Sequence, residues 1–264
     1  MKRVVFNQKG GVGKTSISCN LAAISAQQGY KTLLIDLDTQ CNSSEYLLGP
    51  HYADKNNTAA DFFKTFLGMI GRKPYLPGFC HPTQYGRLSV MPASPELATI
   101  ERELESRHKI YKLREALTDL SKHYDRIYID TPPALNFYSS AALIAADSLL
   151  IPFDCDSFSR QALYNLVNTV SEIREDHNED LFIEGIVVNQ FNPQAKLPAD
   201  LIAQLVEDGL PVLGSYLNAS VKLKESREAH MPLIHFAPSH KLTQQFVNVY
   251  NLLEGNELQP VTDA

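Results

Sequence analysis

Cysteine is scarce in this chain and never clustered. The four that occur, Cys19, Cys41, Cys80 and Cys155, form no C-x-x-C pair. Neither a zinc site nor a disulfide framework is expected from that spacing, and a reduced compartment fits it better. No apolar run approaches the ~20 residues of a membrane span. The opening stretch MKRVVFNQ has no long apolar segment and no small-residue cleavage site, so it does not read as a signal peptide. Positive charge is also in deficit: 24 Lys and Arg against 30 Asp and Glu leave a net charge of −6. That excludes a polycationic surface, and any contact with nucleic acid would need a local basic patch. The tail GNELQPVTDA (255–264) contains no lysine or arginine and lacks the pattern of a membrane-surface helix. It reads as a frayed end. The expected location is the cytoplasm, with no membrane partner.

Hydrophobic residues make up 44% of the 264 positions, enough for a sizeable core. Short apolar runs alternate with helical patterns. Strands are predicted at 3–7, 31–36, 87–94, 125–133, 148–154 and 181–189, with PVLGSYL (211–217) as a candidate last strand. Helices are predicted at 15–28, stopped by Gly29, and at 94–120, with Ser94 as N-cap and Pro95 at the first helical position. Further helices are predicted near 135–146, 158–176, 198–208 and 240–254. The part after the second strand is irregular, and 71–86, rich in Pro, Gly and aromatics, reads as loop or broken structure. Apolar strands alternating with helices imply an α/β fold with a doubly wound, mostly parallel sheet flanked by helices. No linker or repeat divides the chain, so one domain over 1–264 is expected. In such sheets ligands bind at the carboxyl ends of strands, where the motifs below all fall.

QKGGVGKT (8–15) follows a strand and opens a helix, the context that identifies a phosphate-binding loop. Its residues Gly10, Gly11, Val12, Gly13, Lys14, Thr15 and Ser16 would cradle the phosphates with backbone N–H groups and a helix N-terminus. Lys14 would neutralise the β- and γ-phosphates, and the Thr15 hydroxyl would ligate Mg²⁺. A plain glycine turn would not need glycines, lysine and hydroxyl in this register. Gln8 stands where the common form of the loop has glycine, and Lys9 is a second lysine that phosphate binding does not require. LLIDLDTQ (33–40) ends a strand on Asp36 and Asp38, two residues apart and so on one side of it. RIYIDTPP (126–133) carries Asp130 to a strand end, where it could hold Mg²⁺ through water. Taken alone, each acidic pair or strand-end Asp could be a wet turn.

The form K-G-G-x-G-K-[ST] resembles the deviant Walker A loop of the ParA/MinD family of P-loop ATPases. The resemblance extends from residue 2 to about 250, including VMPASPELATIERELE (90–105) and LLIPFDCDSFSRQAL (149–163). It implies a P-loop ATPase using ATP and Mg²⁺. It implies that Lys9 reaches across an ATP-sandwiched homodimer to the partner's phosphates. Asp38 would orient the attacking water, Asp36 would support the magnesium shell, and Gln40 would lie in the first switch. Thr131 and the prolines after it would form the second switch. Thr39 stands where the family more often has proline. Asn189 and the stretch 217–220, with Asn218, would flank adenine.

IDTPP and the tail are more similar to ParA/Soj sequences than to membrane-associated MinD, and cysteines near the second switch, which would hold an iron–sulfur cluster, are missing. The resemblance therefore implies nonspecific DNA binding by the ATP dimer, nucleoid association, and a ParB-like or cargo-adaptor protein that stimulates slow hydrolysis. The cargo could be a plasmid, a chromosome or a protein cluster. The best local basic concentration is Lys222, Lys224 and Arg227, with Lys196 upstream and Lys241 downstream. Glu225 and Glu228 interrupt it, so an ordinary solvated helix face is the competing reading. Two functions compete with a ParA-type role. One is a metabolic P-loop enzyme of the dethiobiotin synthetase or cobyrinic acid amidotransferase type. The other is a MinD-like membrane-associated switch.

Overall fold

Val4, Leu33, Ile35, Ile127 and Ile129 face one hydrophobic cluster, while Val5, Leu34 and Tyr128 face another. This alternation within consecutive strand residues is the two-residue period of a sheet covered on both faces. The structure is a computed structural model and describes residues 1–68, 74–155 and 159–258. In chain order its elements are β1 (Lys2–Val5), α1 (Lys14–Gln27), β2 (Thr32–Asp36), α2 (Asn42–Leu48), α3 (Ala59–Lys64), β3 (His81–Pro82), β4 (Leu88–Met91), α4 (Leu97–Ser106), α5 (Lys112–Leu120), β5 (Arg126–Asp130), α6 (Phe137–Ala145), β6 (Ser148–Asp154), α7 (Ser159–Asp176), β7 (Phe182–Asn189), α8 (Lys196–Glu207), α9 (Val221–Glu228), α10 (Leu233–Phe236) and α11 (Lys241–Glu254). The strand order is β3-β4-β2-β5-β1-β6-β7, parallel except for the antiparallel β3. Helices α3 to α8 cover one face, and α1, α2 and α9 to α11 the other.

The doubly wound, mostly parallel sheet expected from the sequence is present, and six of its seven strands fall where the apolar runs predict them. The centre of the sheet sets up the site. β1 lies between β5 and β6, and β5 lies between β1 and β2, so the three strands that carry the phosphate loop and both acidic motifs are neighbours. Parallel registration brings Asp36 level with Asp130 at their common carboxyl end.

Two expectations are corrected. The single helix over 94–120 is two helices, α4 and α5, separated by a turn in which His108 has φ +53°. The reason is phase. Leu97, Ile100 and Leu104 bury one face of α4, and Leu113, Ala116, Leu117 and Leu120 bury one face of α5. Leu104 and Leu113 are nine residues apart, two and a half turns at ~3.6 residues per turn, so one straight helix would point them in opposite directions. Ser94 is also not the N-cap: Glu96 holds that position without a side-chain cap, although the Ser94 hydroxyl accepts the Glu96 N–H at 3.3 Å.

The second correction concerns 211–217, which is not a strand of the sheet. It runs beside the free edge of β7 with interrupted pairing: Val212 bridges Ile186, Leu213 and Leu217 donate to Ile186 and Val188, and Phe191 donates to Leu217. Gly185 permits the approach, since a Cβ there would lie 2.7–2.9 Å from the Leu213 side chain. The irregular region after β2 also carries short helices. The start of α3 is a capping box, in which Thr58 and Asp61 exchange side-chain-to-backbone hydrogen bonds. Of the 71–86 loop, residues 71–73 lie outside the described residues. The rest contains a 3₁₀ turn at Leu76–Phe79 and the two-residue β3. In the tail, 259–264 likewise lie outside them.

Candidate functional site

The loop between β1 and α1 is shaped by what its backbone must do. Gly13, the N-cap of α1, sits at φ +95° and contributes no side-chain cap, so the first N–H groups of the helix remain available to an anion. A Cβ at Gly13 would lie 2.2 Å from the Asn189 side-chain nitrogen, which makes glycine obligatory twice over. The Lys14 ammonium is buried and donates to the carbonyls of Asn7 and Lys9, each at 2.9 Å. Burial lowers its pKa, while Asp130 and Asp38 pull it back up. The cation is thus held inside the loop cavity by weak neutral acceptors that a phosphate would outcompete.

Asp130 and Asp36 are completely buried. Thr15 donates to Asp130 Oδ2 at 2.8 Å and Ser18 to Oδ1 at 3.2 Å, and Ser43 donates to it from α2. Asp36 Oδ2 accepts the Ser44 hydroxyl at 2.7 Å and the Ser44 N–H at 2.9 Å. Asp36 Oδ1 takes the Asp38 N–H at 3.1 Å. Burial, then the charge of Asp130, pushes the Asp36 carboxyl up to about 7 against these hydrogen bonds. Burial likewise raises Asp130, against the Ser43, Thr15 and Ser18 hydrogen bonds that hold it down. Two buried carboxylates side by side with hydroxyls are a hard-oxygen donor set that fits Mg²⁺, an ion that takes one or two carboxylates and completes its shell with water and phosphate. Among the described residues no group of three or more His, Cys, Asp or Glu is arranged to hold a metal. Asp38 is 7% exposed at the mouth of the site, and its carboxylate accepts the Gln40 N–H at 3.0 Å.

Lys9 reaches the carboxyl end of β6. Its ammonium contacts both oxygens of Asp154, at 3.0 and 2.8 Å, and it is one-third exposed. Asp154 closes β6 as Asp130 closes β5, so the rule that found one strand-end carboxylate applies equally to the other. Asn189 and Gln190 close the loop from β7. The Asn189 amide donates to the Val12 carbonyl at 2.9 Å, and the Gln190 amide donates to that of Gly11 at 3.0 Å. Asn218 lies beside Phe191 at the same end of the sheet, its N–H donated to Gln245 at 3.0 Å. The structure therefore gathers residues 9–16, Asp36, Asp38, Asp130 and Asn189 around one loop, with Asn218 at its flank.

The basic candidates are elsewhere. Lys222, Lys224 and Arg227 are exposed on α9. Lys222 is paired with Glu225 at 2.6 Å, while Lys224 and Arg227 have no ion-pair partner among the described residues. Lys196 begins α8, and its side chain lies outside the described residues. Lys241 begins α11 and is half-buried. Sequence reading missed Asn7, Ser18, Ser43, Ser44, Asp154 and Gln190. The Ser43-Ser44 pair, directly after the acidic motif, was the available signal for α2.

A family profile described as AAA domain matches residues 2–183. The chain is 35% identical over 202 residues to the chromosome partitioning protein ParA of Myxococcus xanthus, covering 76% of this chain and 69% of that protein. It is 30% identical over 254 residues to the sporulation initiation inhibitor protein Soj of Bacillus subtilis, covering 96% and 97%. Among solved structures it is similar to an ATP complex of a Cyanothece McdA variant, with TM-score 0.82, 23% identity and coverage of 99% and 98%. It is also similar to cobyrinic acid a,c-diamide synthase of Mycobacterium smegmatis bound to an ATP analogue and magnesium, with TM-score 0.77, 23% identity and coverage of 99% and 98%.

Proposed function

Since the chain belongs to the ParA/MinD-type P-loop ATPases, we propose that it is a partition ATPase. In this reading ATP with Mg²⁺ joins two copies, the dimer binds DNA without sequence preference, and hydrolysis stimulated by a cargo-bound partner dissolves it. The observation that carries the reading is the division of labour between two lysines. Lys14 is buried under the phosphate site, whereas Lys9 is one-third exposed beside the loop, held by Asp154, from which a second subunit's phosphates could draw it. A cation that served only its own nucleotide would not need that position.

The chain's own groups account for slow hydrolysis. The loop N–H groups and Lys14 orient the triphosphate and offset charge developing on its γ-phosphoryl group. Thr15, Asp130 and Asp36 would hold Mg²⁺, which supplies further neutralisation of the phosphate oxygens when bound. Asp38 positions the attacking water. Lys9, delivered by the partner subunit, completes the positive environment, so turnover requires the dimer. Adenine sits between Asn189 and Asn218. Lys224 and Arg227, doubled by dimerisation, supply phosphate contacts to DNA despite the net charge of −6. No helix among the described residues is long and apolar enough to cross a membrane, and the proposed location is the nucleoid.

The alternative with a specific observation behind it is a metabolic P-loop enzyme, because the cobyrinic acid a,c-diamide synthase shares the fold. Light scattering with a slowly hydrolysed ATP analogue separates the two. The partition reading requires a dimer for the natural protein and a monomer for Lys9→Ala. Equal oligomeric states would favour the metabolic alternative.

A further inference from the structure

The metal-site carboxylates are hydrogen-bonded to an element whose far end reaches the basic surface. α2 turns two consecutive hydroxyls toward them, Ser43 to Asp130 and Ser44 to Asp36. Farther along α2, Tyr46 is 3% exposed, and its phenol lies 2.5 Å from the Ser226 hydroxyl of α9. Ser226 has one proton and donates it to the Met231 carbonyl at 2.7 Å, so the Tyr46 phenol is the donor between them. Tyr46 in turn accepts an N–H of Asn20, at 3.3 Å, from the phosphate-loop helix α1. The result is a one-way chain, Asn20 to Tyr46 to Ser226 to Met231, with all three side chains buried. A second bond runs parallel to it: His230 Nδ1, 3.1 Å from the Glu45 carbonyl, must carry the proton because that carbonyl can only accept.

These contacts do not resemble generic packing between surface helices. Buried polar side chains are costly unless satisfied, and a directional chain has one arrangement in which every member is satisfied. The seam it closes is also open to solvent on one side. A cavity of about 500 Å³ has Asn42, Glu45 and Tyr46 on its α2 wall and Lys224, Arg227 and Glu228 on its α9 wall.

We infer that α2 is a lever between the nucleotide site and α9, with Ser43, Tyr46 and Ser226 as its positioning residues. A carboxylate that turns toward a ligand in the site gives up an oxygen that Ser43 or Ser44 now holds. α2 then resettles, and the Tyr46–Ser226 and His230–Glu45 bonds carry the change to the helix bearing Lys224 and Arg227. The DNA role of those cations rests on the partition reading. The lever itself does not.

The test is hydrogen–deuterium exchange over 221–231, with and without a slowly hydrolysed ATP analogue and Mg²⁺, in the natural protein, Tyr46→Phe and Ser226→Ala. In the natural protein the nucleotide should change exchange there by about tenfold, the factor one buried hydrogen bond commands. In both variants the response should shrink to less than about twofold, with analogue affinity held within about twofold, since neither residue contacts the loop. If Tyr46→Phe fails to fold, Ser226→Ala carries the same expectation from the surface end of the chain. A merely structural role would lower melting temperature and leave the nucleotide response intact. That result, or an α9 that ignores nucleotide in the natural protein, overturns the inference. DNA titrations on the same samples keep the two readings apart. A DNA affinity ratio between ATP and ADP states that collapses in the variants supports the lever. Absence of DNA binding in every state, with the exchange response intact, sinks the partition reading and leaves the lever supported.

Discussion

At Lys14 and Asp38 one substitution removes a functional group, and at Gly13 one substitution adds a carbon where there is no room. Lys14→Ala deletes the only buried cation of the loop and should abolish ATP binding by calorimetry. Asp38→Ala leaves the loop and both buried carboxylates in place. It should therefore bind ATP and form the dimer while its hydrolysis falls by about 10²-fold or more, the usual scale for a lost positioning or proton-handling group. Phosphate release at the natural rate would remove Asp38 from that role. Gly13→Ala meets two obstacles, the left-handed backbone and the Asn189 amide 2.2 Å from the new carbon. Strain of about 1–3 kcal/mol is expected from the backbone alone, so analogue affinity should fall at least about fivefold. Asn189→Ala in the same chain should restore part of it, and no restoration would mean that the clash is not what glycine avoids.

At this scale the sequence was legible wherever a residue's chemistry depends on a contiguous motif. The loop, Asp36 and Asp130 could be placed because strand ends and helix starts are local patterns. Asp154 and the Ser43-Ser44 pair were not singled out, because their meaning depends on which strands become neighbours, and that is decided by the whole sheet.

Among the elements, α9 carries the most exposed prediction. Lys222 is already paired with Glu225, whereas Lys224 and Arg227 have no ion-pair partner among the described residues. Lys224→Glu and Arg227→Glu should therefore weaken DNA binding by the ATP state more than Lys222→Glu. Each lost phosphate contact should reduce the slope of log affinity against log salt by about 0.9. Salt-independent binding, or equal effects at all three positions, would place the DNA surface elsewhere. The element boundaries show what patterning reveals and what it hides. β1, β2, β5, β6 and β7 were readable because each contains or continues into a short apolar run. The break between α4 and α5 was also in the sequence, as the half-turn slip between Leu104 and Leu113, but helix propensity on both sides masked it. The 211–217 run has strand composition and still fails to become a strand, because its pairing with the β7 edge is interrupted and confined to isolated bridges. Composition cannot report that.

For the molecule as a whole, the pole opposite the phosphate loop is fastened by charge. Arg3, 3% exposed, binds Glu184 at 2.8 Å and Glu254 at 2.7 Å, and Arg126 shares Glu254 at 2.6 Å, which ties the end of α11 to the centre of the sheet. Arg3→Leu would take the guanidinium from Glu184 and leave Glu254 to Arg126 alone, and should cost about 3–5 kcal/mol in urea unfolding. Burial alone would raise the Glu254 pKa, but hydrogen bonds from Arg126 and Arg3, and their charges, hold it below the ordinary 4.5. A depressed carboxylate binds fewer protons in the folded state, so its contribution is complete above 4.5 and is lost as pH falls through the lowered value. Glu254→Gln should flatten that acid limb of the stability curve, and an unchanged limb would assign it to other groups.

The assembly is the largest-scale claim, and everything proposed about DNA and cargo depends on it. Multi-angle light scattering of the natural protein and of Lys9→Ala, at saturating ATP analogue and Mg²⁺, tests it most directly. The account predicts a mass near twice 29.5 kDa for the natural protein and a single-chain mass for Lys9→Ala that still binds the analogue. A natural protein that stays a single chain at saturation, or a Lys9→Ala variant that pairs equally well, would contradict it.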